Sequence, residues 1–319
     1  MKKWIKKIGM TLALPVIVYG IFLIICFDRF SNLNCVSTIF LQSIVSVITA
    51  YAYAFIYMSG LFDFTIGSRI IISGLVGGIA SSQFGMAGLL LGSLIASVAV
   101  AALTGALNWI CKIPSLILTM ALTMVFEIVG KNIAGRFSFV SIDYQYAVLG
   151  SVPWIVVVLI VCGLLFYFIF NFTKFSYHMR AIGSNEAVSK NAGIRVQWIK
   201  FLCFVVGSIF AAVAAVLTIS QSGSMGAQTN LGSATLLFQP LMAIIIAVVL
   251  QPACNMAIGI FVSQFTLNTI FIGLIAAGFP DTFQNIFLGV FLLIVMIITN
   301  NVETLKEYLH KRRLAAKAA

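Results

Sequence analysis

Ten apolar stretches dominate this chain, at about 9–27, 35–58, 69–85, 87–108, 113–133, 152–172, 199–220, 234–250, 254–277 and 283–299. Most reach the roughly 20 residues that a helix needs to cross about 30 Å of hydrocarbon. In lipid the backbone polar groups must be satisfied within the segment itself, which leaves the helix as the natural solution for runs of this length. The expectation is an all-α membrane protein of about ten transmembrane helices, in one domain over residues 1–319. Composition agrees, with 61% hydrophobic and only 8% charged residues, where soluble domains carry about 25% charge. A water-soluble enzyme is excluded on that ground. The third run, 69–85, is short and carries Gly74, Gly77, Gly78, Ser81 and Ser82, so it is expected to be broken or tilted.

The net charge of +11 would suit nucleic acid in a soluble protein, but in a membrane protein it belongs to the cytoplasmic loops. Ten spans put both termini on one side. With that side inward, sixteen of the nineteen Lys and Arg, including Arg69, Lys174, Arg180 and Lys200, fall inside, and Arg29, Lys131 and Arg136 fall outside. The orientation is therefore N-in and C-in, with a cytoplasmic tail over 301–319 and no nucleic-acid partner. Lysines precede the first run, which is longer than a signal-peptide core and lacks a small-residue cleavage pattern, so it reads as an uncleaved helix. Trp4, Trp109, Trp154 and Trp198 lie near span ends, as interface anchors do.

The six cysteines have no C-x-x-C spacing and no histidine nearby. They read as small apolar packing residues rather than metal ligands or nucleophiles. Phosphate-loop, zinc-protease and serine-hydrolase motifs are also absent, so the chain is expected to move a solute rather than transform one, with no cofactor of its own. Two acids lie within apolar surroundings, Asp63 and Glu127. Glu127 has Lys131 one turn later, a spacing that allows an ion pair; a proton carrier or a wall of the substrate path are the other readings of such a residue.

The longest polar stretch runs from Lys174 to Lys200. Ser184 or Asn185 is expected to cap a short helix over Glu186–Asn191, closed by Gly193 in the left-handed conformation. A short capped helix between two spans is a lever that a cytoplasmic partner can grip. Its sequence, Met179-Arg-Ala-Ile-Gly-Ser-Asn-Glu-Ala-Val-Ser-Lys-Asn-Ala-Gly-Ile194, resembles the coupling loop of ribose-type ABC sugar permeases. Two further segments match in order. Gly60-Leu-Phe-Asp63-Phe-Thr-Ile-Gly67-Ser68 is similar to that family's G-x-x-D-L-S-V-G-S, and Ile113-Pro114-Ser115-Leu-Ile-Leu-Thr119 to its P-S-F-I-V-T-L. In physical terms Asp63 can cap a restarting helix, Gly67 permits close helix approach, and Pro114 suits a first helical turn.

The resemblance implies the permease subunit of a bacterial ATP-driven importer for a simple sugar, in the cytoplasmic membrane. Its implied partners are cytoplasmic ABC ATPases, which hold ATP and Mg, an extracytoplasmic binding protein, and a second permease chain. The ATPases would engage Arg180, Ala181, Ile182, Gly183, Ser184, Asn185, Glu186, Ala187, Gly193 and Ile194. Neutral polyols need amides, hydroxyls and aromatic faces, which makes Gln42, Ser43, Tyr51, Tyr53, Asn108, Gln239, Gln264 and Asn268 candidates for the substrate path, with interhelical hydrogen bonding as the alternative role for each. The chain departs from the family in lacking both of its Gly-Gly pairs, with Gln251-Pro252 where the first would be, and in having Phe238-Gln239 at an acidic position. Such a loss fits pairing with a more typical permease in a heterodimer, and a homodimer stays open. A nucleoside or furanosyl signal-molecule importer of the same architecture, or an ion-coupled carrier using Asp63 or Glu127, are the competing functions.

Overall fold

A computed structural model describes residues 2–290 and Leu293, without Pro252, Asp281 and Asn285. Among the described residues, seven helices are long and apolar enough to cross a membrane. In chain order the helices are α1 (Lys2–Ile25), α2 (Phe27–Phe30), α3 (Leu33–Met58), α4 (Thr65–Cys111), α5 (Ser115–Ala134), α6 (Trp154–Phe172), α7 (Lys174–Ser184), α8 (Glu186–Asn191), α9 (Val196–Ser222), α10 (Thr235–Leu250) and α11 (Met256–Ala276). Two three-residue strands, β1 (Phe139–Ser141) and β2 (Ser224–Gly226), pair antiparallel with Val140 opposite Met225. Helices thus recur within a few residues of the first nine expected runs, with 69–85 and 87–108 joined in α4 and the run 9–27 not among the seven. The last span, 283–299, and the tail from 301 lie mostly or wholly outside the described residues.

Helix α4 has 47 residues, about 70 Å of helix if straight, more than twice the hydrocarbon thickness. It is a hairpin. Gly85 adopts φ 60°, ψ −144°, a conformation essentially confined to glycine, and the two arms fold back on each other. A Cβ on Gly77 would lie 2.0 Å from Ser93 Oγ and 2.7 Å from the Leu89 carbonyl, and one on Gly92 would lie 3.2 Å from Gly77 Cα. The break expected in the third run is this reversal, and it makes that run and the next one the two arms of one helical hairpin with no loop between them.

Residues 1–270 form one compact unit. Its centre is α9, packed against α4 and α3. Backbones approach closely there because small residues leave the room: a Cβ on Gly207 would lie 2.5 Å from the Ala52 carbonyl, one on Gly105 3.0 Å from Phe201, and Ser97 Oγ donates to the Ser208 carbonyl at 2.8 Å. Tyr51 and Phe55 of α3, Phe166 and Phe170 of α6 and Phe210 of α9 form an aromatic core, with Tyr51 and Phe166 stacked at 4.5 Å. Phe168 and Phe172, on the other side of α6, are exposed. All six cysteines are free thiols. The second unit begins at Phe271; within it Phe271 meets Phe287 and Phe279 meets Phe283.

Candidate functional site: the coupling segment and the buried charges it adjoins

The Lys174–Lys200 stretch folds as two short helices, as its capping residues dictate. Thr173 Oγ accepts from Ser176 N at the start of α7. Asn185, rather than Ser184, caps α8, its Oδ1 accepting from Val188 N at 3.1 Å. Gly193 then closes the segment at φ +81°. Ser176, Met179 and Ile182 turn inward on α7, while Ala187, Val188 and Lys190 of α8 face outward and Val188 is 63% exposed. Glu186 is tied back to Lys200 of α9 by a 2.8 Å ion pair. Of the other expected contact residues, Ser184, Asn185 and Gly193 are exposed, and Arg180, Ala181 and Ile194 are half-buried.

Gly183 anchors the segment to the bundle. A Cβ there would lie 2.0 Å from the Met58 carbonyl, at the end of α3, and 3.5 Å from Gly60 N. No other residue fits this contact. The turn it touches, residues 59–64, is held on its far side by α5: Ser115 Oγ accepts from Phe62 N at 3.0 Å and Thr119 Oγ1 accepts from Phe64 N at 3.2 Å. Pro114 stands just before α5, at its N-cap, rather than in the first turn.

Asp63 stands one residue before the N-cap of α4, where its Oδ1 accepts from Thr65 N, the first N–H of the helix, at 2.8 Å and from Thr65 Oγ1 at 2.6 Å. Its second oxygen binds Arg69 Nη2 at 2.8 Å, and both side chains are fully buried. Arg69 is therefore an intrahelical residue and not a loop charge, which corrects its count among the cytoplasmic charges. Its Nη2 also reaches Thr65 Oγ1 at 3.0 Å, its guanidinium lies 5.9 Å from the Phe204 ring centroid, and its Nε and Nη1 have no partner among the described residues. Sequence reasoning missed the pair, although Asp63 and Arg69 are six residues apart across a helix start.

Glu127 is also placed otherwise than expected. It does not pair with Lys131: its carboxylate accepts from Leu231 N and Ser233 N, each at 2.8 Å, and from Ser233 Oγ at 2.6 Å. It caps the turn that leads into α10. The Ser233 carbonyl in turn packs on Gly67, where a Cβ would lie 1.9 Å away. Gly67 thus permits the close approach of the helical turn 232–234 and of Leu236 in α10, as expected of a glycine at a helix contact, and Ser68 Oγ donates within its own helix to Thr65 O at 3.0 Å. Among the described residues three charged side chains are buried, Asp63, Arg69 and Glu127.

The candidate path residues separate. Ser43, Gln239 and Asn268 come together: Gln239 Nε2 donates to Asn268 Oδ1, and Asn268 Nδ2 to Ser43 Oγ at 2.8 Å. One turn from Asn268, Gln264 is fully buried, and neither polar atom of its amide has a partner among the described residues. Tyr51 donates to the Ala257 carbonyl at 3.1 Å. Tyr53 is fully buried near Phe62, Gln42 is exposed, and Asn108 is half-buried.

Comparison with known proteins agrees with this architecture. The profile of the family described as "Branched-chain amino acid transport system / permease component" matches residues 35–296. Among curated proteins, the chain is 23% identical over 220 residues to the D-allose transport system permease protein AlsC of Escherichia coli (strain K12), a match covering 65% of this chain and 66% of that protein, just under two thirds. It is 23% identical over 257 residues to the galactofuranose transporter permease protein YtfT of the same organism, covering 78% and 74%. No solved structure matches significantly. The resemblance to simple-sugar ABC permeases is borne out, and the chain is a multi-pass membrane protein that belongs to the family of branched-chain amino acid transport system permease components.

Proposed function

We propose that this chain is the membrane subunit of an ATP-driven importer for a simple sugar in a bacterial cytoplasmic membrane. Two permease chains flank the substrate path, a binding protein delivers sugar outside, and two ABC ATPases engage α7 and α8 inside. The observation that carries this reading is the α7–α8 segment itself, helical and capped, with an apolar Val188 turned to solvent and Gly183 docked on the end of α3. ATP hydrolysis belongs to the partners.

Two arguments support a neutral sugar over the amino acid in the family's description. Both relatives are named for sugars. A zwitterionic substrate carries an ammonium group, and neither buried acid among the described residues is open to it: Asp63 is paired with Arg69 and Glu127 accepts from three donors. The neutral set Ser43, Gln239, Gln264 and Asn268 offers the hydrogen-bonding groups that a polyol uses. The same saturation speaks against either acid acting as the coupling site of an ion-driven carrier.

The test is affinity purification of the tagged chain from its native membrane, with co-purifying proteins identified by mass. An ATPase is expected with the wild type and lost with Glu186→Arg and Gly193→Trp. The number of permease species decides between homodimer and heterodimer. Absence of an ATPase, or its indifference to both substitutions, overturns the reading.

A further inference from the structure

A crevice of about 1140 Å³ opens between α1, α3, α6 and α11, away from the Ser43–Gln239–Asn268 cluster. Its chemistry changes from one end to the other. At the end next to the coupling segment stand Arg180, Asn171 and Asn255, with Asn171 Nδ2 donating to Asn255 Oδ1 at 3.4 Å. The other end is walled by apolar side chains such as Ile160 and Val262. From Asn171 back to Ile160 is eleven residues of α6, about 16 Å, which is half of a hydrocarbon core about 30 Å thick. The crevice is thus one leaflet deep, polar at one end and apolar for the rest.

Arg180 supplies the charge. Its guanidinium lies 4.9 Å from the Tyr177 ring centroid and 5.2 Å from that of Phe170, and its Nε donates to the Ser176 carbonyl at 3.4 Å. Neither of the two ion pairs among the described residues includes it. The stacking holds the cation at the mouth of the crevice, and among the described residues its outer nitrogens have no hydrogen-bond or ion-pair partner, which leaves them to an anion. Lys174 and His178 are exposed on the same short helix. A sugar would leave its hydroxyls unpaired along the apolar wall, whereas an amphiphile with an anionic head matches both ends.

We propose that this crevice is a binding site for an anionic phospholipid, with an acyl chain along α6 and α11 and its phosphate on Arg180. Because Arg180 lies on α7 within the coupling segment, the lipid would brace α7 against α6 where the ATPases pull. Placement in the cytoplasmic leaflet rests on the orientation proposed above; the binding itself requires neither sugar nor ATPase, so the two can fail separately.

The test is native mass spectrometry of the purified full-length chain given an equimolar mixture of phosphatidylglycerol and phosphatidylcholine. One basic residue near a membrane surface contributes a preference of roughly fivefold for the anionic head. The wild type and Arg180→Lys should show it, Arg180→Gln should retain the two lipids equally, and Gly163→Phe, which fills the crevice, should bind less of both. Millimolar inorganic phosphate should not displace the lipid. Equal retention by the wild type overturns the proposal, as does an unchanged preference in Arg180→Gln, which would place the head on other basic residues. Unchanged retention in Gly163→Phe, or displacement by phosphate alone, overturns it as well.

Discussion

Replacing Arg69 by methionine tests whether the buried ion pair is what holds the start of α4. The substitution keeps side-chain length and apolar stem and removes the bonds from Nη2 to Asp63 Oδ2 and to Thr65 Oγ1. Asp63 keeps its two Thr65 donors on Oδ1, but Oδ2 becomes a bare charge in a site with no exposure. Breaking a buried pair from one side costs about 3–5 kcal/mol. At roughly 2 °C per kcal/mol for a chain of this length, that lowers the melting temperature by about 6–10 °C. Adding Asp63→Asn removes the stranded charge while the amide oxygen still caps Thr65, so the double variant should melt above Arg69→Met alone. The interaction term should be favourable by about 2–3 kcal/mol. The assay is thermal unfolding of the purified permease in one detergent for the wild type, both single variants and the double variant. Additive losses would refute the reasoning, because Arg69 would then act through its contact with Phe204 and not through Asp63.

Glu127→Gln places an amide N–H against a backbone donor and forfeits a charge-assisted bond, a loss of about 2–3 kcal/mol; a lower melting temperature is expected, and unchanged stability with lost uptake would restore the ion-coupled reading. Gly85→Ala forces a side chain into a backbone region reserved for glycine at a cost of about 1–3 kcal/mol, to be read as a lower melting temperature of the purified chain, with an unaltered value contradicting the hairpin reversal. Gly183→Val sets a methyl against the Met58 carbonyl and should dislodge α7 while the spanning helices persist: normal membrane insertion with loss of the co-purifying ATPase is the expected pair of results, and retained ATPase counts against the docking role.

The spans were legible because lipid imposes one rule on every one of them: an apolar run long enough to cross has little choice but to be a helix. The capping signals were legible for the same local reason, so Asn185, Gly193 and Asp63 stand where their chemistry places them. What the chain alone did not disclose were partners distant in sequence. Lys131 was the visible neighbour of Glu127, at helical spacing, but Ser233 is 106 positions away and meets the carboxylate with three donors counting Leu231 N. Arg69 resembles a loop cation because it follows a turn, and its burial beside Phe204, 135 positions on, comes from packing that the chain order does not display. The gathering of Ser43, Gln239 and Asn268 depends on helices widely separated in the chain, which residue type alone does not pair.

These distant contacts join into a continuous route. Gly183 of the coupling segment presses on Met58 at the end of α3, and the turn beyond it is hydrogen-bonded to Ser115 and Thr119 of α5 and closed by Asp63 and Arg69 of α4. Farther along α5, Glu127 holds Leu231 and Ser233, and the carbonyl of Ser233 packs on Gly67 of α4. Every step is a backbone contact or a polar bond that is at least partly buried, which leaves little slack. Under the proposed mechanism, a displacement of α7 would pass from the 59–64 turn to α4, α5 and the segment that opens α10. Gln239 lies on α10, four residues after its first, and is bonded to Asn268. Under the proposed mechanism, the polar cluster suited to a sugar is thus moved by the same elements that the ATPases pull, without any charge in the membrane having to change its protonation.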